Sequence, residues 1–163
     1  MRATVTPAGI FTIANTTFRA ALGYSGVRSD KREGDGGTPA GLLPLREILY
    51  RSDRLPAPVS VVPVRPMTPS DGWCDDPGHA SYNRAVRLPL NASAEALWRD
   101  DASYDIVGVL GWNDDPPVAG RGSAIFLHLA RFDFAPTEGC IALALDDLRR
   151  VLAQGLTEIL VTA

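Results

Sequence analysis

Proline and glycine punctuate this chain from end to end, with 13 prolines and 15 glycines in 163 residues. Proline removes a backbone donor and fixes φ, while glycine loses the most conformational freedom on ordering. The runs between them are too short for long helices and favour many short strands joined by tight turns. The expected fold is mainly β: two packed mixed sheets, β-sandwich-like, with a few short helices. A chain of this length makes one domain, 1–163, able to bury a core without staples.

Local patterning fills in that outline. Residues 3–22 read as a meander of short strands, turning at Pro7-Ala8-Gly9 and alternating through Phe18, Ala20 and Leu22. The glycine-rich stretch 28–41 reads as a structured loop, without the Gly-Lys-Ser/Thr spacing of a phosphate loop. Residues 59–64 read as an edge or bulged strand because Pro63 interrupts them, and 66–83 as loop. Residues 92–99 suggest a short helix with Ala94, Leu97 and Trp98 on one side. Two buried strands follow, at 105–110 and 124–130. The second places Phe126, His128 and Ala130 on one face and turns Leu127 and Leu129 into the core. Leu145, Leu148, Val151 and Leu152 form a helical stripe that stops at Gly155, and 157–161 closes as a strand.

A net charge of −3 gives no electrostatic case for nucleic acid or an anionic membrane. No apolar run approaches the ~20 residues needed to span a bilayer. Met1-Arg2-Ala3-Thr4-Val5 lacks the charged and then apolar order of a secretory signal. Two cysteines make no disulfide framework, so Cys74 and Cys140 are both expected to be free. Cys74, Asp75, Asp76 and His79 lie close in sequence, yet their spacing fits no common zinc pattern and no metal is expected.

The chemistry concentrates elsewhere. His128 lies in Leu127-His128-Leu129, and twelve residues later Pro136-Thr137-Glu138-Gly139-Cys140-Ile141 sets a thiol beside a glycine. A free cysteine is commonly just a small buried hydrophobe, and it is only a few per cent thiolate at neutral pH unless a neighbour takes its proton. Histidine is the side chain best matched to that task. Gly139 leaves room for a substrate oxygen to approach backbone N–H groups, so Gly139 and Cys140 are the expected oxyanion donors. The second nitrogen of His128 needs a partner: a carbonyl near Leu129, or the side chain of Asn113 or Asp133.

The same window resembles the L,D-transpeptidase catalytic domain of the YkuD type, in which an upstream histidine precedes a Ser/Thr-x-Gly-Cys segment and a branched apolar residue. Here that segment is Thr137-Glu138-Gly139-Cys140-Ile141. The stretch Asp30-Lys31-Arg32-Glu33-Gly34-Asp35-Gly36-Gly37-Thr38-Pro39-Ala40-Gly41 is similar to the entry of that domain. Gly72-Trp73-Cys74-Asp75-Asp76-Pro77, Tyr82-Asn83-Arg84, Leu97-Trp98-Arg99, Tyr104-Asp105 and the run 120–128 resemble a bacterial subgroup. The chain departs from the pattern at Leu129, where many members have Gly, and at Ala142, where many have Arg. Glu138 replaces a His or Arg, and Ala94 a His.

Taken together, the residues suggest acyl transfer. His128 takes the thiol proton, and Cys140 attacks a peptide carbonyl to form a thioester that a second amine resolves. Thr137, Glu138, Trp73 and Asn113 are the expected substrate contacts, with Trp73 as an apolar wall and Glu138 facing the ammonium of an incoming amine. The resemblance implies peptidoglycan stem peptides as donor and acceptor, cleaved between a diaminopimelate centre and a terminal D-alanine. It also implies a place in the bacterial cell envelope and neither metal nor organic cofactor. Water as acceptor, giving an L,D-carboxypeptidase or thiol amidase, and a non-catalytic stem-peptide binding module remain open. The oligomeric state is open as well.

Overall fold

The structure is a computed structural model that describes residues 1–163. Strands β1 (Arg2–Val5), β2 (Ile10–Ile13) and β3 (Thr16–Ala21) form the expected antiparallel meander. Every second side chain, from Ala3 through Phe11 to Ala20, is buried on one face. Within the glycine-rich stretch, β4 (Val27–Arg28) and β5 (Thr38–Pro39) pair in parallel. They are followed by β6 (Gly41–Tyr50), β7 (Val64–Pro66), β8 (Asp71–Cys74), β9 (Ala85–Arg87) and β10 (Ala94–Ala96). The chain ends with β11 (Ile106–Leu110), β12 (Phe126–Leu129), β13 (Ile141–Leu143), helix α1 (Leu145–Ala153) and β14 (Glu158–Val161).

The main sheet runs β11-β12-β13-β3-β2-β1-β14-β6, and β6 pairs again with β11, so eight strands close into a barrel-like arrangement. The strand expected at 59–64 is corrected: residues 59–63 are not extended into a strand, and only Val64 belongs to β7, which lies parallel to β6 at the sheet margin. The expected pair of packed mixed sheets is corrected by this closure. The cause is β6, whose residues 41–44 pair with β14 while Leu45 and residues 47–50 pair with β11, with Arg46 bulged out of the ladder. A strand that changes partners midway turns the corner of the sheet, and closure removes exposed edges.

Two further expectations are corrected. Residues 92–99 hold β10, paired to β8 through Ala94–Cys74 and Glu95–Trp73, and not a helix. Strand β8 lies inside the segment read as loop, and a small sheet β10-β8-β9 results. The single helix, α1, sits where the Leu148, Val151 and Leu152 stripe predicts, and Gly155 beyond its end takes φ +88°. No helix is long and apolar enough to cross a membrane.

Strand alternation divides the apolar residues into two clusters. Leu127 and Leu129 join Ile106, Leu110, Ile141 and Leu143 in the larger core, to which α1 contributes Leu148, Val151 and Leu152. Phe126, Val107 and Val109 point the other way, into a smaller cluster with Trp73, Leu97, Tyr104 and Cys140. The small sheet covers that outer face, and the functional cleft opens beside it.

Candidate active site

Strands β12 and β13 run in parallel with His128 opposite Ala142. Because their neighbours Leu127, Leu129, Ile141 and Leu143 are held in the core, His128 and Ala142 share the outer face and line a cleft of about 500 Å³. Cys140 precedes β13 and lines the same cleft, so the two residues singled out from sequence come together. Both are almost completely buried.

The loop carrying Cys140 is built by its own small groups. Thr137 Oγ1 donates to the Cys140 carbonyl at 2.7 Å and accepts from the Gly139 N–H at 3.1 Å. Gly139 adopts φ +140°, and a Cβ there would stand 2.8 Å from the Gly37 carbonyl oxygen, so glycine is required. Since the Gly139 N–H is spent inside the loop, the expected oxyanion pair is not free as a pair. The Cys140 N–H donates to no group of the protein and is the donor left for a substrate oxygen. Thr137 is thus chiefly a loop-building residue, although it borders the cleft.

Cys140 Sγ accepts from the Phe126 N–H and donates to the Ala124 carbonyl oxygen, each at 3.3 Å. Burial pushes the thiol up to about 12, and the Glu95 charge adds to that shift. The Glu138 carboxylate acts in the same direction but less strongly than Glu95, while Lys31 opposes both. These effects together favour the neutral thiol at Cys140.

His128 is held in the complementary state. Burial lowers its pKa below the usual 6.5, the charges of Arg99 and Arg131 lower it further, and the contact with Leu129 opposes them. Its Nδ1 lies 3.0 Å from the Leu129 carbonyl oxygen, which selects the tautomer with hydrogen on Nδ1 and leaves Nε2 as a base. Of the three partners the sequence offered, the backbone carbonyl is the one used. Asp133 instead accepts the Ala135 N–H. The Tyr104 ring stands edge-on to the imidazole at 5.2 Å between centroids.

Trp73 and Asn113 lie away from this cleft. The Trp73 ring packs at 89° against Phe126, 5.3 Å between centroids, and its Nε1–H donates to Asn83 Oδ1 at 2.9 Å. The Asn113 side chain is fully engaged in its own turn, donating to the Val118 and Gly122 carbonyls and accepting from the Val118 N–H. Glu138 is exposed at the cleft border. His79 accepts the Ser81 N–H, and no group of three or more His, Cys, Asp or Glu side chains is arranged to hold a metal ion.

Sequence reasoning assigned no role to several residues that shape the cleft. The half-buried Glu95 accepts a hydrogen bond from the Tyr104 hydroxyl, and burial raises its pKa, with the Tyr104 bond and Arg99 opposing. Lys31 lines the cleft but is tied to Asp35 at 2.6 Å and to the Arg32 carbonyl at 2.8 Å. Asn83, at φ +54°, donates to the Trp112 and Asn113 carbonyls and accepts from Trp73 and from the Ala124 N–H. An asparagine is one of the few residues that tolerates this backbone and supplies donor and acceptor together, which was the available signal.

A closed β barrel thus carries a cysteine and a histidine on its outer face, at one polar cleft. Residues 13–157 match the L,D-transpeptidase catalytic domain (YkuD), and the chain belongs to that family. No curated protein and no solved structure gives a match.

Proposed function

We propose that this protein is a cysteine-dependent acyltransferase acting on peptidoglycan stem peptides in the bacterial cell envelope. One observation supports this reading above the rest. A neutral imidazole with a free Nε2 and a hydrogen-bonded thiol open into one cleft, beside an amide N–H that has no partner. As Cys140 attacks the scissile carbonyl, its proton passes to His128 and the developing oxyanion meets the Cys140 N–H. The leaving amine takes that proton from His128, and a thioester remains on Cys140. An amine acceptor then yields a cross-link and releases the thiol. Water as acceptor would give a shortened stem instead, through the same first half-reaction.

The test is intact-protein mass spectrometry after exposure to a tetrapeptide stem, with and without an amine acceptor. An adduct with the mass of the acyl group, absent in Cys140→Ser and retained in Cys74→Ser, is the expected result. Absence of any adduct in the wild-type protein under turnover conditions removes the covalent mechanism and favours a binding module.

A further inference from the structure

The cations of the cleft are not equivalent. Lys31 is neutralised by Asp35, and Arg99 is held by Asp101 through Nε at 3.0 Å and Nη2 at 2.5 Å. Arg131 is exposed in the turn three residues after His128; its carbonyl accepts the Phe134 N–H, but its guanidinium makes no hydrogen bond or ion pair with the protein. It nevertheless lines the cleft, and its charge acts on both Asp101 and His128. Asp101 is engaged by Arg99, so the Arg131 guanidinium is left without a carboxylate partner in the neighbourhood of the histidine. Ala142, opposite His128 across the strands, lines the same cleft with only a methyl group.

We propose that Arg131 is the carboxylate-binding residue of the cleft, fixing a free carboxylate of the peptide beside the scissile bond, with Arg99 completing the positive wall. This rests on the acyltransfer reading for the identity of the peptide. A guanidinium not already committed to a protein acid can pair with an incoming carboxylate through two parallel hydrogen bonds. Arg99 makes a poorer primary partner, because Asp101 would have to give way first. The Asp75, Glu95 and Glu138 side of the cleft repels a carboxylate, so the ligand is oriented as well as held.

Equilibrium binding tests this without turnover. The probes are the tetrapeptide L-Ala-γ-D-Glu-meso-diaminopimelate-D-Ala and the same peptide with its terminal carboxyl, its diaminopimelate side-chain carboxyl or both converted to carboxamides. Binding is measured by calorimetry on Cys140→Ser protein, with and without Arg131→Ala or Arg131→Lys. Arg131→Ala is expected to weaken the free-acid peptide by about tenfold or more, the scale of a charge-assisted pair. Amidation of the engaged carboxyl should cost the same in the Arg131-containing protein and nothing further in Arg131→Ala, and Arg131→Lys should recover part of the loss. Equal affinity with and without Arg131, an amidation penalty that persists without it, or no binding of any probe overturns the assignment. Acyl-enzyme formation in wild-type protein is scored separately: binding that depends on Arg131 without an adduct would sink the covalent mechanism and leave the carboxylate site standing.

Discussion

The Cys140 thiol points its hydrogen at the Ala124 carbonyl oxygen, 3.3 Å away, and accepts the Phe126 N–H on its other side. A preformed thiolate–imidazolium pair would face His128 instead. With the thiol raised to about 12, its ionised fraction is negligible at neutral pH. Alkylation of Cys140 by iodoacetamide should therefore be slower at pH 7 than that of a free thiol, and should climb with pH toward 12. A fast rate that stays level down to pH 5 would establish the ion pair and overturn the neutral resting state.

In the proposed reaction His128 is expected to set the acid limb of activity. Its pKa lies below 6.5 because burial disfavours the imidazolium, so the base form predominates at and above pH 6.5 and is lost as pH falls through the lowered value. The rate of acyl-enzyme formation should be flat just above pH 6.5 and fall below it. His128→Ala should lower that rate by roughly a hundredfold or more, the usual scale for a positioned general base. An acid limb centred above 6.5, or full turnover in the variant, would remove this role.

Asn83 reaches the Cys140 thiol through one intermediary, because it holds the Ala124 N–H at 3.1 Å while the Ala124 carbonyl accepts from the thiol. Ala124 itself sits at φ +54°, an arrangement that needs such support. Asn83→Ala leaves the Trp73 indole N–H and two turn carbonyls without their partner. Its expected cost in urea unfolding is about 2–4 kcal/mol, the scale of a few buried groups left unpaired. Cys140 alkylation in the folded variant should also change its pH dependence. A variant of unchanged stability and unchanged thiol titration would show that the contacts are incidental.

Alternation made much of this fold legible. The β1–β3 meander, β11, β12 and α1 fall where period-two and helical spacing place them, and the outward face of His128 follows from Leu127 and Leu129 turning inward. The barrel closure was not legible, because it depends on β6, where Pro44 and mixed polarity hide a ten-residue strand with three partners. Strand β10 was hidden for a related reason. Ala94, Glu95 and Ala96 have no strand preference of their own and are extended because β8 pairs with them. At the site, Cys140 and His128 stood out as rare side chains in one window. Asn83 and Glu95 come from distant segments, and only the fold brings them to the cleft or behind it, whereas Arg131, three residues after His128, carried no pattern to mark it.

Gly139 offers a sharp local test. A methyl there meets the Gly37 carbonyl oxygen at 2.8 Å, and φ +140° is unfavourable for any L side chain. Gly139→Ala should displace the Cys140 amide and cost about 1–3 kcal/mol of stability, the scale of local backbone strain. Acyl-enzyme formation should fall more steeply than stability alone explains, read at a temperature where the variant remains folded. Wild-type acylation in Gly139→Ala would show that the loop has more freedom than its packing implies.

Two carboxylates near the nucleophile have separable parts. Glu95 is half-buried and bonded to Tyr104, and it raises the Cys140 thiol more than the exposed Glu138 does. Both act by repelling the negative thiolate, so neutralising either should lower the alkylation midpoint, with Glu95→Gln producing the larger shift. The glutamine can still accept the Tyr104 hydroxyl through its amide oxygen, which keeps the geometry comparable. In the proposed reaction Glu138, exposed at the cleft border, would meet the ammonium of an acceptor before that amine loses its proton and attacks. Glu138→Gln should therefore weaken saturation by an amine acceptor more than it changes single-turnover acylation. Faster acylation with unchanged acceptor dependence would leave Glu138 as no more than a burden on the thiolate, and would favour water as the group that resolves the thioester.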